Sequence, residues 1–378
     1  MEVDKIISLI NSGASISKDK LKILRKFLID NKKRDTIYIL NDLMDELESI
    51  TCDFISSRVI NSISTTIDTA CINLNIYSGI NYDTEFDIAS VTKLFTLVLV
   101  LKFIDNNIFK LDDKICDIDV NFKYLDYSIL DLIKMSVSII TDSRIDLANN
   151  YIDALNRLYS VHPTSYDKYI NNYTDIGFMV LSKLIEDITN NTFNDIIIKF
   201  YKKYGIIINK LKNVVGNGYN DALPHDPKAR IMGTIGSAGI FINSNNMDLF
   251  ARKLFDDDNL ITKENLYKLS TKLFDCNHAN KGYAGIYVKH PLGIKKTSTP
   301  LEYSRYAFSH QGYTGSCAIF DPLLKIHNSI LVDSIKDNKK KSINFYKYFN
   351  DYHQKLIMIT LKTYILNREE KIKMIKRI

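Results

Sequence analysis

Ser90 and Lys93 stand three residues apart at the head of an otherwise apolar run, Phe86-Asp-Ile-Ala-Ser-Val-Thr-Lys-Leu-Phe-Thr-Leu-Val-Leu-Val-Leu. That spacing stacks them on one face of a helix. A helix apolar on nearly every side belongs in a core. A serine hydroxyl is a weak nucleophile and needs a base beside it. Burial disfavours an ammonium, so the Lys93 amine is expected to lose its proton below the range of free lysine and to accept the proton of Ser90. N–H groups at the helix start favour negative charge there. Ser-x-x-Lys also recurs by chance, and an N-cap serine beside a snorkelling lysine is the bland alternative. The apolar flanks of Lys93 fit that alternative poorly.

Two further stretches raise the specificity. Asn172-Tyr173-Thr174-Asp175 opens an apolar helical pattern, and Phe308-Ser309-His310-Gln311-Gly312-Tyr313-Thr314-Gly315 precedes Ser-Cys-Ala-Ile-Phe-Asp-Pro. With Ser90 and Lys93 they resemble, in order and spacing, the three motifs of the serine β-lactamase and penicillin-binding protein family, in particular its class C β-lactamase and serine esterase branch. His225-Asp-Pro-Lys-Ala-Arg and Gly236-Ser-Ala-Gly-Ile-Phe look like the segment that often reads Gly-His-Ala-Gly-Leu-Phe in such proteins. The resemblance spans residues 65–335.

The resemblance implies Ser90 as the acylated nucleophile and Lys93 as the group that takes or relays its proton. It implies Tyr173 as a second acid/base group, its phenolate favoured by Lys93. His310 would hydrogen-bond toward Tyr173 or a substrate carboxylate. The N–H groups of Ser90 and Tyr313 would form the oxyanion hole, and Asp175, Gln311 and Gly312 would bind substrate. Gly312 and Gly315 also suit close approach of backbone to a ligand. Asp175 stands where Asn is usual, Gln311 where Thr is usual and Ser237 where His is usual. A carboxylate at 175 is expected to disfavour an anionic β-lactam side chain.

The function implied is a serine hydrolase working through an acyl-enzyme, on an ester or amide such as a D-amino-acyl peptide, a β-lactam or a small ester. Asp175 and Gln311 favour esterase or peptidase action over β-lactamase action. The alternative is a catalytically retired relative that binds a peptide or protein partner through the same cleft. No cofactor is called for. None of His162, His225, His278, His290, His327 and His353 pairs with another at helical spacing, so no metal site is expected.

The elements that must position these residues follow from patterning. Residues 1–50 read as an N-terminal helical extension, with apolar stripes Ile6-Ile7-Leu9-Ile10 and Leu21-Ile23-Leu24-Phe27-Leu28. Residues 51–378 read as the hydrolase domain. Strand-like runs lie at 57–77, Gly282–Val288, Tyr306–His310, Ser316–Phe320 and Ile326–Ile335, helical patterns fill 105–230, and a basic helix spans 343–378. Strands at both ends of the chain around a helical insert predict an α+β protein. The resemblance implies the β-lactamase/transpeptidase-like form of that class, an antiparallel sheet of about five strands flanked by helices with an all-helical subdomain.

Composition excludes other classes. The chain has 378 residues, 46% apolar and 25% charged, with 14 Gly and 6 Pro, which is a folded globular composition. The net charge of +6 is concentrated beyond residue 335, where Lys and Arg exceed Asp and Glu by eight. A nucleic-acid footprint over the body is therefore not expected. The basic end is expected to form a solvated helix face, with weak contact to an anionic surface as its other use. Five scattered cysteines, without a C-x-x-C pair, read as free thiols. Cys71 and Cys317 are expected to be buried. With no signal peptide and no transmembrane run, a cytoplasmic protein acting on a small molecule or peptide is expected.

Overall fold

The computed structural model describes residues 2–166, 171–215, 223–256, 260–275, 280–288, 299–334 and 339–375. The side chains of 2–6, 274, 275, 280, 339–343 and 367–375 are not described. Cys276, His278, His290 and the basic side chains from Arg368 onward, on which sequence expectations rested, lie outside the described residues.

Three helices, Glu2–Asn11, Lys18–Asp30 and Thr36–Ser56, open the chain. Strands β1 (Ile63–Asp68) and β2 (Asn73–Ser78) follow, then the short β3 (Phe86–Asp87) leading into the Thr92–Asp105 helix. The helical region carries β4 (Val137–Ile140) and β5 (His162–Tyr166) and ends near β6 (Phe241–Ile242), which pairs with β3. Strands β7 (Phe274–Asp275), β8 (Asn280–Lys281), β9 (Tyr287–Val288), β10 (Phe308–Gln311), β11 (Cys317–Asp321) and β12 (Ile326–Val332) precede the closing Lys339–Ile375 helix.

The main sheet has the order β2-β1-β12-β11-β10-β9-β8-β7, with antiparallel neighbours throughout. Its centre joins the two ends of the chain, Ile63 opposite Val332 through Asp68 opposite His327. Five strands of four or more residues form the body, as the sequence implied, and three two-residue strands extend one edge. The 105–230 region is not purely helical. β4 and β5 pair as a ribbon there, started where Met135, at φ 56, turns the chain out of the preceding helix.

Alternation along the strands gives the sheet two unlike faces. Phe308, Ala318, Phe320 and Leu331 pack with the Thr92–Asp105 helix and the helical region. Ile63, Ile67, Cys317, Ile319, Ile330 and Val332 pack with the Thr36–Ser56 and Lys339–Ile375 helices. The N-terminal helices thus cover the sheet's second face together with the closing helix, joined by a stack of Phe54 on Tyr352 (4.9 Å between ring centres). The Thr92–Asp105 helix has its first ten residues buried.

Two turns show the local chemistry. The Asp68 carboxylate accepts the Ala70 N–H at 2.8 Å and Ala70 sits at φ 70, closing the β1–β2 turn. That turn carries Cys71 outward, so Cys71 is exposed, contrary to expectation, while Cys317 is buried. The Asp321 carboxylate accepts the N–H groups of Leu323 and Leu324 at the β11–β12 turn, as Asp-Pro suggested.

His353, on the closing helix, is 4% exposed, stacks on Phe349, and its Nε2 has no partner among the described residues. Burial, helped by Lys20, pulls its pKa down to about 4. The unfolded chain therefore gains a proton below about pH 6.5 that the fold refuses until about pH 4, and His353 costs stability as pH falls through that window. In His353→Phe, urea unfolding midpoints at pH 7 and pH 5 should lie closer together than in the parent. The slope should flatten by up to about 1.4 kcal/mol per pH unit; an unchanged slope would contradict the assignment.

Candidate active site

The site is built at the entry to the Thr92–Asp105 helix. Asp87, buried at the end of β3, accepts the Ala89 N–H at 2.8 Å through Oδ1. Its Oδ2 accepts the His225 backbone N–H at 2.8 Å and lies 3.0 Å from His225 Nδ1. Ala89 is held at φ 48, a left-handed conformation costly for a residue with a side chain. Ser90 follows in a single 3₁₀ turn, Ala89–Val91, that runs into the helix. Among the described residues neither the Ser90 nor the Tyr313 N–H has a hydrogen-bond acceptor.

Lys93 has no exposed surface. Its Nζ lies 3.0 Å from Ser90 Oγ, 2.7 Å from Asp175 Oδ1 and 3.4 Å from the Ser237 carbonyl. It also lies 4.9 Å from the centre of the Tyr173 ring. Burial alone lowers the pKa of Lys93, but attraction to Tyr173 and Asp175 outweighs it, and the net shift is upward. The expectation of a lysine below its ordinary range is overturned by Tyr173 and Asp175 beside it.

Tyr173 and Asp175 come from the turn before the Ile176–Thr189 helix. Asn172 anchors that turn by donating its N–H to the Met135 carbonyl at 2.7 Å. Asp175 occupies the helix N-cap but makes no capping bond; Thr174 Oγ1 accepts the Ile176 N–H instead. The Asp175 carboxylate is thereby released to the lysines: Oδ2 lies 3.2 Å from Lys228 Nζ, which is 3.0 Å from Asp226. Burial would raise the Asp175 carboxyl, yet Lys93 and Lys228 hold it down at about 2. Lys228 was missed in the sequence. The signal was an extra carboxylate at 175, which in a buried setting calls for a second cation.

The opposite wall is β10 and the loop after it. His310 is 2% exposed and lies on the same face as its partner Ala318, toward the Thr92–Asp105 helix. Its ring nitrogens face backbone carbonyls, Nδ1 with Gln311 O at 3.0 Å and Nε2 with Ala284 O at 3.2 Å. It makes no hydrogen bond to Tyr173, contrary to expectation. Burial, Lys93 and Lys281 keep it neutral, with a pKa of about 3.

Gln311 pairs with Cys317, so its side chain turns to the sheet's other face, away from Ser90; the expected substrate contact by that side chain is corrected. Gly312 carries the loop across the Ala89–Val91 turn. A Cβ there would fall 2.4 Å from the Ile88 carbonyl oxygen. Tyr313, 77% exposed, stacks on His225 at 5.4 Å, and Thr314 Oγ1 donates to the Asp87 carbonyl at 2.8 Å. The structure thus gathers Ser90, Lys93, Tyr173 and Asp175 around one ammonium and lays the 310–314 segment beside them. Among the described residues no cluster of His, Cys, Asp and Glu could hold a metal.

These groups lie between an antiparallel sheet and a helical region. The chain matches the Beta-lactamase family over residues 77–344 and belongs to that family. It is accordingly a serine hydrolase of the β-lactamase and esterase type. In fold it is similar to a class C beta-lactamase, at 13% identity over 82% of this chain and 98% of that one, with a TM-score of 0.62. It is likewise similar to EstA from Arthrobacter nitroguajacolicus Rue61a, at 13% identity over 83% and 95% with a TM-score of 0.62. EstCE1, a hydrolase with promiscuous acyltransferase activity, matches at 12% identity over 82% and 98% with a TM-score of 0.65. No curated protein matches the chain. Among the described residues no helix is long and apolar enough to cross a membrane.

The wall that presents the Ser237 carbonyl to Lys93 tolerates no side chain before it. A Cβ on Gly236 would lie 2.0 Å from the Phe178 carbonyl oxygen and 2.9 Å from its carbon, and the Gly236 carbonyl is fixed by Thr96 Oγ1 at 2.8 Å. Gly236→Ala should lower stability by about 1–3 kcal/mol, read as a reduced urea midpoint. An unaltered midpoint would refute this packing.

Proposed function

We propose that this protein cleaves an ester or amide through an acyl-enzyme on Ser90. The observation that carries the reading is the ammonium of Lys93, without exposed surface and 3.0 Å from Ser90 Oγ. Ser90 attacks the substrate carbonyl, and its proton leaves through the Lys93–Tyr173 pair. The C–O or C–N bond then breaks, and the leaving group takes a proton from the same pair. Water repeats the sequence on the acyl-serine and releases the acid. The N–H groups of Ser90 and Tyr313 receive the oxyanion, a contribution worth about 3–4 kcal/mol per donor where it has been measured in other enzymes.

His310 serves in this reading as a neutral ring packed behind the pair. Because Lys93 is raised and paired, the pair must lose a proton before Ser90 can give up its own. Acylation therefore climbs with pH on an alkaline limb, rather than through a depressed lysine pKa. The substrate class favoured is a small ester or a D-amino-acyl peptide. Asp175, which stands where an amide is usual, has both oxygens engaged by lysines and is not free to hold a β-lactam side chain as an amide would.

Intact-mass spectrometry after incubation with a fluorophosphonate, and separately with a penicillin, tests the reading. One adduct is expected with the fluorophosphonate, absent from Ser90→Ala; a penicillin adduct that persists would favour the peptidase-like substrate. No adduct from either reagent would leave a retired protein that binds a partner through this cleft.

A further inference from the structure

We propose that Lys228 is a positioning residue that sets how tightly Lys93 holds its proton by sharing the charge of Asp175. The inference deepens the acyl-enzyme reading and rests on it.

The geometry is an alternating row. Ser90 Oγ meets Lys93 at 3.0 Å, Lys93 meets Asp175 Oδ1 at 2.7 Å, Asp175 Oδ2 meets Lys228 at 3.2 Å, and Lys228 meets Asp226 Oδ2 at 3.0 Å. Each oxygen of Asp175 thus serves a different lysine. Lys228 is itself held in place. Asp226 caps the Pro227–Met232 helix by accepting the Lys228 N–H at 2.8 Å, and Pro227 sets the first turn. The Lys228 side chain is only 18% exposed, so the row is poorly screened by solvent.

The electrostatic consequence follows from position. A carboxylate answering to Lys93 alone would bind its proton hard, and a second cation on the far oxygen weakens that hold. The other groups bearing on the row are Tyr173, with Lys281 5.7 Å from its ring centre, and the neutral His310 behind. Asp146, paired with Arg144, feels Lys228 on its outer side. Lys281 donates to the Gly285 carbonyl at 3.0 Å. An Asn at 175 would not need this lysine, and the two substitutions are expected to belong together.

The test is the pH profile of Ser90 labelling by a fluorophosphonate across four variants. Lys228→Met should move the ascending limb to higher pH by about one unit, and Lys228→Arg should leave it near the parent. Asp175→Asn should move the limb down, and adding Lys228→Met to Asp175→Asn should move it little further, because the carboxylate through which Lys228 acts is gone. A limb unmoved by Lys228→Met, or a Lys228→Met shift that is just as large in the Asp175→Asn background, overturns the inference. Lys228→Gln replaces the methionine variant if that one does not fold. A second readout separates this claim from the reading beneath it: the titration of Lys93 followed by NMR in protein carrying ¹³Cε-lysine, with the signal assigned by Lys93→Arg. If the parent is labelled at no pH, the acyl-enzyme reading fails, while a Lys93 titration that rises in Lys228→Met still upholds the role of Lys228. A titration that does not move refutes it.

Discussion

An ammonium without exposed surface is the constraint around which the rest of this molecule is arranged. Placing a lysine head group in a core is unfavourable by several kcal/mol unless charge and hydrogen bonds replace its water. Lys93 receives three replacements, from Ser90, Asp175 and the Ser237 carbonyl. Each comes from a different part of the chain: the Ala89–Val91 turn, the Tyr173–Asp175 turn and the loop before β6. A single buried charge thereby ties the Ala89–Val91 turn to the Tyr173–Asp175 turn and to the loop before β6. The residues that would do chemistry are the same ones that make the burial tolerable.

That arrangement needs rigid supports, and the structure provides them in backbone rather than in side-chain packing. Asp87 holds Ala89 in a left-handed turn and fixes the His225 loop with its other oxygen. Thr314 closes the same knot from the β10–β11 loop by donating to the Asp87 carbonyl. Glycine at 312 lets that loop lie against Ile88. The strain at Ala89 persists because bonds from separate segments over-determine the turn. Behind it, the sheet joins β1 to β12, so the second face must be sealed by helices from both ends of the chain. The N-terminal helices are part of that seal.

Much of this was legible in the sequence, for identifiable reasons. The Ser90–Lys93 spacing and the apolar helix behind it announce a buried lysine, because helical periodicity is local. The strands Cys317–Asp321 and Ile326–Val332 follow from β-branched runs broken by Asp-Pro. What was not legible depended on pairing between distant segments. The direction of the Lys93 shift reversed because Tyr173 and Asp175, both from a turn distant in the chain, outweigh burial. The side chain of Gln311 faces away from the cleft because the strand alternates about His310, which motif matching does not encode. Cys71 sits in a tight turn rather than in a strand because the Asp68 carboxylate caps the chain at Ala70, inside the run that reads as strand. The β4–β5 ribbon hides in a helical stretch because its residues are few and its pairing is non-local.

The same distinction changes how charge at the cleft should be counted. Read along the chain, Asp175 is an added negative charge in a binding site, and it was expected to repel anions. In the folded protein its two oxygens are engaged by Lys93 and Lys228, and Asp226 answers the second lysine. Two cations and two carboxylates balance within this row, and the neutral His310 adds no charge behind it. The cation beyond the row, Lys281, lies 3.2 Å from the Tyr287 ring centre and donates to the Gly285 carbonyl at 3.0 Å. Asp175 therefore acts on Lys93 as an electrostatic partner more than on a ligand as a repelling charge. A carboxylate rather than an amide at 175 bears first on the charge state of Lys93.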